Sequence, residues 1–199
     1  MTIEYKRLNK AQEADTIIKE MKDFVGDRFY VLDDGLPYLI GRAGYYCFGA
    51  YEDEKLIAVG FGKLLDEDVL GYYRRFVSDF LLDDLLEQFF NKKCGVMNVF
   101  TVHPDYQNSD ILDDITYNIT KNLTEILEMT CELIFVDMPV MNDNLYESRL
   151  KAFDNLGYTK FGEIEDFWKD YTHDRKDCVC QICGDVCSCK AIILYKPRD

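Results

Sequence analysis

Strand-like and helix-like segments alternate along this 199-residue chain, and their order excludes most fold classes. Ile3–Leu8 reads as a short first strand. Ala11, Ala14, Ile17, Ile18, Met21, Phe24 and Val25 then recur at helical spacing behind a cap at Asn9. Gly26–Gly44, with Asp33-Asp34-Gly35 and Pro37, reads as a loop with a short helix. Tyr45–Tyr51 and Leu56–Gly62 flank the charged Glu52–Lys55 turn as a β-hairpin. A helical insertion over 71–94 follows, with Leu81, Leu82, Leu85, Leu86, Phe89 and Phe90 on a helix starting near Ser78. Gly95–Val102 is an apolar strand ending at His103-Pro104, and a longer helix runs through Ile111, Ile115, Ile119, Leu123 and Leu127. Cys131–Val136 is the next strand. Asn142 caps a helix that carries Tyr146, Leu150 and Phe153 and stops at Gly157. Lys160–Phe167 and Ala191–Tyr195 close the series. No repeat or linker interrupts it, which predicts one mixed α/β domain over 1–199, built on a mixed sheet.

Composition narrows the function classes. Hydrophobic residues make up 48% and aromatics 14%, enough for a substantial core. Met1–Asp15 is polar and no apolar run reaches membrane-spanning length, so a soluble, cytoplasmic protein without membrane association is expected. The net charge of −14 argues against nucleic acid, whose phosphates need a basic footprint. It suits a cationic small-molecule amine or a basic peptide, although acidity also serves solubility alone. Homodimerisation is left open.

Three stretches resemble the GNAT superfamily of acetyl-CoA-dependent N-acetyltransferases. Val99-Phe100-Thr101-Val102-His103-Pro104-Asp105-Tyr106-Gln107 is similar to the family's V-x-P-x-(Y/F)-(Q/R) strand end and loop. Ala152-Phe153-Asp154-Asn155-Leu156-Gly157-Tyr158 is similar to its L-Y-x-x-x-G-F helix ending. Glu165-Asp166-Phe167-Trp168 with Ala191–Lys196 resembles its closing hairpin. The resemblance implies that the strand ending at Val102 splays from its neighbour at a bulge and binds the pantetheine arm of acetyl-CoA through its backbone. An N–H near Phe100, Thr101 or Val102 would polarise the thioester carbonyl. The turn Gln107, Asn108, Ser109, Asp110, Ile111, Leu112 would hold the pyrophosphate at a helix N-terminus. A carboxylate would take the amine's proton and a hydroxyl would return one to the CoA thiolate.

Two positions depart from the family pattern. Its turn is usually (Q/R)-x-x-G-x-(G/A), and here Asp110 stands for the glycine and Leu112 for the second small residue. A phosphate ~4 Å from Asp110 would meet repulsion of roughly 1 kcal/mol or more. A helix that caps itself and binds nothing is the competing reading of this acidic turn. Phe153 stands where many relatives carry the tyrosine proton donor and would line the cofactor site. Tyr146, two turns earlier on roughly the same face, is the alternative donor, or else a core tyrosine. Asp137 is the candidate base, or else a solvated loop carboxylate. His103 is a second candidate base, or else a surface histidine.

Five of the eight cysteines, Cys178, Cys180, Cys183, Cys187 and Cys189, crowd into the 171–190 loop, whereas Cys47, Cys94 and Cys131 lie in or beside apolar stretches as core residues. In an intracellular chain such density favours metal over disulfides. Cys180-Gln181-Ile182-Cys183-Gly184 has zinc-knuckle form. On a hairpin with its tip near Cys183-Gly184, Cys178 would oppose Cys189 and Cys180 oppose Cys187 on one side. Structural zinc is the expectation; an iron–sulfur cluster, disulfides and free thiols are the alternatives. The chain is thus expected to be an acetyltransferase, or a GNAT-fold binding protein that has lost catalysis and keeps a zinc loop. A thiol-based redox or zinc sensor is a third reading.

Overall fold

A computed structural model describes residues 2–9, 17, 19, 44–67, 87, 89, 92–107, 111–128, 131–138, 143–166 and 190–197. Their strands are β1 (Ile3–Leu8), β2 (Tyr45–Glu52), β3 (Lys55–Leu64), β4 (Cys94–Val102), β5 (Cys131–Met138), β6 (Thr159–Ile164) and β7 (Lys190–Pro197). Two helices are described along their whole length, α1 (Ile111–Leu127) and α2 (Asp143–Asn155). The strands form one seven-stranded sheet in the order β1-β2-β3-β4-β5-β7-β6. Every pairing is antiparallel except β4 with β5. The parallel pair needs a crossover, and α1 supplies it.

The β2–β3 hairpin falls where the charged turn places it. Glu52 pairs with Lys55, and the two residues between, Asp53 and Glu54, take φ of 47° and 69°. Positive φ at both central residues matches the right-handed twist of the flanking strands. The penultimate strand ends at Ile164 and not at Phe167, because Glu165 and Asp166 turn the chain, Asp166 at φ 52°.

One stripe of α1, formed by Leu112, Ile115, Ile119, Leu123 and Leu127, is buried against β2, β3 and β4. These positions recur every three or four residues, so they share one helix face. Gly62 brings Leu123 close: a Cβ there would stand 3.1 Å from a Leu123 methyl. The core continues through Ala152 and Phe153 of α2, Tyr158, and Ile192 and Leu194 of β7. Thr116 and Thr120 lie inside it with their hydroxyls donated to the carbonyls of Leu112 and Thr116, at 2.7 and 2.9 Å. This back-bonding lets a helix bury a hydroxyl. On the opposite face of β7, Tyr195 meets Phe89, which is helical and itself packs edge-on against Phe161.

α2 ends as its sequence dictates. Gly157 takes φ 83°, its N–H donates to Asp154 and that of Tyr158 to Phe153, a Schellman closure. The Phe153 and Tyr158 rings then meet edge-on at 5.3 Å between centroids. Lys196 Nζ donates to the Leu156 carbonyl, placing a cation at the negative end of the helix.

The expected helix over 11–25 is described only at Ile17 and Lys19, both helical, with Ile17 buried. The insertion over 71–94 is described only at Glu87, Phe89 and 92–94. The loop through residue 43, the cap at Asn142 and the cysteine loop lie outside the described residues. No helix among the described residues is long and apolar enough to cross a membrane.

Candidate functional site

The parallel pair at the centre of the sheet comes apart. β4 and β5 are in register from Cys94 opposite Cys131 to Met97 opposite Ile134, and there their pairing ends. Both strands continue. β4 stays on β3 as far as Val102 opposite Ala58, and β5 stays on β7 as far as Met138 opposite Lys190. Their outer neighbours therefore hold them extended while their facing edges diverge.

The cause is one residue. Phe61 pairs with Val99 but Gly62 with Met97, so Asn98 is the extra residue of a β-bulge. A bulge bends its strand and increases local twist, which turns the end of β4 away from β5. The peptide groups of 98–102 on one side and 135–138 on the other are left facing a wedge. Backbone groups in such a position need partners, and an extended chain carrying its own amides can supply them.

The turn after β4 is strongly held. The His103 N–H donates to the Ile57 carbonyl at 2.7 Å, which carries the β3 pairing one residue past Val102. His103 Nδ1 accepts the Asp105 N–H at 3.2 Å and caps the short 3-10 turn Pro104–Tyr106. Gln107 is buried, and its side-chain amide donates to the Val102 carbonyl, tying the far side of the turn to the end of β4. Tyr106 donates its hydroxyl to Glu52 of the β2–β3 hairpin. That acceptor, with burial and the nearby Asp105 and Asp53 charges, pushes the Tyr106 pKa up to about 12. Lys55 Nζ lies 3.4 Å from His103 Nε2.

α1 opens beyond this turn with Ile111 and the buried Leu112, and its N-terminus carries the positive end of the helix dipole. Asp113 and Asp114 lie in its first turn. Asp113 is directed to α2, where Asn155 donates to its Oδ2 at 2.8 Å. That bond joins the start of one helix to the end of the other.

Four of the sequence-derived residues lie on the strands that border this wedge. Phe100, Thr101 and Val102 lie on the diverging edge of β4, and Asp137 lies on the facing segment of β5, opposite Ala191. Gln107 follows Val102 in the turn and is tied to it by its side chain. Tyr146 lies in the first turn of α2. Phe153 is buried in the core at 2% exposure. The His103 lone pair at Nδ1 is engaged in its cap, so action as a base would require that bond to break. Asn108, Ser109 and Asp110 lie outside the described residues, as do Cys178, Cys180, Cys183, Cys187 and Cys189. Among the described residues, no group of three His, Cys, Asp or Glu side chains is gathered as for a metal.

Sequence reasoning missed three contributors. Asn98 reads as one polar residue in an apolar strand, and only its register reveals the bulge. The Glu52–Tyr106 and Asp113–Asn155 bonds join residues 54 and 42 positions apart, with no local signal.

A mixed sheet whose single parallel pair parts at a bulge, with a helix opening at the end of the parted strand, is the fold of the GNAT acetyltransferases. Solved structures of that class match along the whole chain. An acetyltransferase of the GNAT family from Streptococcus pneumoniae is 9% identical, covers 100% of both chains and has a TM-score of 0.57. A Drosophila melanogaster polyamine N-acetyltransferase, which forms N-acetylagmatine, is 10% identical over 98% of this chain and 100% of that one, at 0.62. Arabidopsis thaliana NAA60 in complex with a bisubstrate analogue is 10% identical over 100% and 99%, at 0.60. At such identities the likeness is one of fold. No family model and no curated protein matches the sequence.

Proposed function

We propose that this chain is an N-acetyltransferase that moves an acetyl group from acetyl-CoA to a primary amine of a cationic small molecule or basic peptide. The parting of β4 from β5 after Met97 and Ile134 carries this reading. It exposes backbone donors and acceptors along one extended edge, the complement of a pantetheine arm with its two amides. Acetyl-CoA supplies an activated thioester carbonyl. An N–H among Phe100–Val102 would stabilise negative charge as it develops on that carbonyl oxygen. The N-terminus of α1 would receive the pyrophosphate, and the Asp113–Asn155 bond turns one of the two first-turn carboxylates toward α2.

Asp137 is proposed as the group that accepts the amine's proton, directly or through water, since β5 carries it onto the facing edge of the wedge. Tyr146 is proposed to return a proton to the departing thiolate. His103 is a weaker candidate for the base because its Nδ1 is occupied. The net charge of −14 favours a cationic acceptor, and the likeness to a polyamine acetyltransferase agrees with that choice.

Calorimetric titration with acetyl-CoA tests the donor site. Micromolar affinity is expected, and absence of binding at millimolar ligand would refute the reading. Thiol release in the presence of agmatine or a basic peptide tests transfer. Asp137→Asn is expected to slow it by about 10²-fold or more with donor affinity kept.

One observation favours a second reading, a GNAT-fold binding protein without catalysis: Phe153, at the family's proton-donor position, is buried and has no hydroxyl. Acetyl-CoA binding without transfer to any amine would support it. In either reading we propose that the cysteine loop holds structural zinc through four of its five thiolates. Metal analysis should find near-stoichiometric zinc in the purified protein, and metal-free, fully folded protein would refute this.

A further inference from the structure

Gln107 is a buried polar side chain that uses only half of its carboxamide. It is 5% exposed. Its amide nitrogen donates to the Val102 carbonyl, and that bond fixes which way round the group lies, since an oxygen in the same place would face another oxygen. Among the described residues nothing donates to its Oε1. Leaving a buried acceptor unpaired is costly, so this oxygen calls for a partner from outside the fold.

The strand ladder locates that oxygen. In an antiparallel pair the peptide groups of successive residues point alternately to the partner strand and away from it. His103 stands opposite Ile57 in the continued register and donates its N–H to the Ile57 carbonyl. Thr101 and His103, in step with each other, therefore turn their peptide groups to β3. The N–H and C=O of Phe100 and Val102 turn the other way, toward β5. β5 has no pairing with β4 beyond Met97 and Ile134, so these groups face the wedge. A donor to the Val102 carbonyl must stand on the same side of β4. The Gln107 carboxamide thus lies at the wide end of the wedge, where a peptide group of β5 would stand had the two strands stayed together.

A carboxamide is a peptide group in side-chain form. Here its N–H takes up the last wedge-facing carbonyl of β4. Phe100 keeps a donor and an acceptor for a ligand, and Val102 keeps a donor. Oε1 of Gln107 adds an acceptor in place of the one it has closed. We infer that Gln107 is a binding residue for the pantetheine arm of the donor, its Oε1 accepting one of the arm's two amide N–H groups beside the backbone of Phe100 and Val102. This rests on the acetyl-CoA reading given above. A residue that only tied the turn to Val102 would not respond to which N–H groups the ligand carries, whereas a direct partner must.

The test is a cycle between protein and ligand, read by calorimetry. The ligands are acetyl-CoA and its two analogues in which one pantetheine amide N–H is replaced by an ester oxygen; the proteins are the unmodified chain and Gln107→Met. One analogue should bind the unmodified protein about tenfold more weakly than acetyl-CoA does. Gln107→Met should bind acetyl-CoA about tenfold more weakly than the unmodified protein and distinguish it from that analogue by no more than about twofold. Equal losses in both proteins, or no loss for either analogue in the unmodified protein, would overturn the role while leaving the acetyl-CoA reading intact. Should Gln107→Met fail to fold, the unmodified protein decides alone. The carbon-13 resonance of the Gln107 carboxamide should move downfield with acetyl-CoA and stay in place with the sensitive analogue; the same response to all three ligands would overturn the role. An unmodified protein that binds none of them would overturn the acetyl-CoA reading itself, and the role with it.

Discussion

Replacing Phe153 with alanine is expected to unfold much of this protein's stability margin. The ring is 2% exposed and belongs to the core shared by α1, α2 and β7. Truncating a phenylalanine in such a place removes its transfer free energy and leaves a cavity that the surroundings fill only partly, about 3–5 kcal/mol. Part of that loss is specific. The edge-on contact with Tyr158 closes the end of α2, and aromatic pairs of this geometry contribute about 0.5–1.5 kcal/mol beyond area burial. At this chain length each kcal/mol moves Tm by about 2–4 °C, so a fall of roughly 6–20 °C is expected. Urea unfolding followed by circular dichroism measures the total. A double-mutant cycle with Tyr158→Leu isolates the ring pair, whose coupling should fall in the range given for such pairs. A total loss below about 1 kcal/mol, or no coupling between the rings, would refute the placement of Phe153 in the core and the Schellman contact.

Gly157→Ala should cost about 1–2 kcal/mol in the same assay, because φ at this position is 83° and a side chain there meets its own backbone; a neutral change would mean that α2 does not end in this closure. Glu163 donates no proton at neutral pH: its hydrogen bonds to Lys160 and Lys190 hold its pKa at about 2, below the usual 4.5, against a small opposing effect of burial. The unfolded chain therefore takes up this proton first, so the stability it contributes is present above about pH 4.5 and lost as pH falls toward 2. Glu163→Gln should flatten that part of the Tm-against-pH curve, and an unchanged curve would refute the pairing. Lys63 is buried with Asp66 at 2.7 Å and Tyr45 beside it; burial opposes its charge, but these partners raise its pKa on balance. Asp66→Ala should cost about 1–3 kcal/mol by leaving a cation less well partnered, and Lys63→Met should be better tolerated than that loss.

The sequence was most legible where local chemistry decides the outcome. Ile3–Leu8 has the strand bounds that its residues suggest, and Gly157 stops α2 because only glycine accepts that φ cheaply. The stripe from Leu112 to Leu127 reads as one buried helix face because side chains three and four apart share a face whatever lies opposite. Glu52–Lys55 reads as a turn because four charged residues between apolar runs have nowhere to be buried. Legibility failed at Ile164, where apolar Phe167 suggested a longer strand than the Glu165–Asp166 turn permits.

The wedge belongs to a different kind of information. Its location was implied only through resemblance in the residues around Val102, and nothing in Cys94–Val102 by itself distinguishes a strand that stays paired from one that leaves its neighbour. That outcome depends on register against β3, where Asn98 has no opposite number, and register is settled by the summed pairing of the whole strand. The grip of Glu52 on Tyr106 and the bond between Asp113 and Asn155 likewise exist only because the sheet and the two helices bring distant segments together. Periodicity, turn chemistry and charge are properties of neighbouring residues, and these determined the elements and their order. Where two strands part, and which side chains brace the turn beyond them, is a property of packing between segments far apart in the chain, and only the tertiary structure decided it.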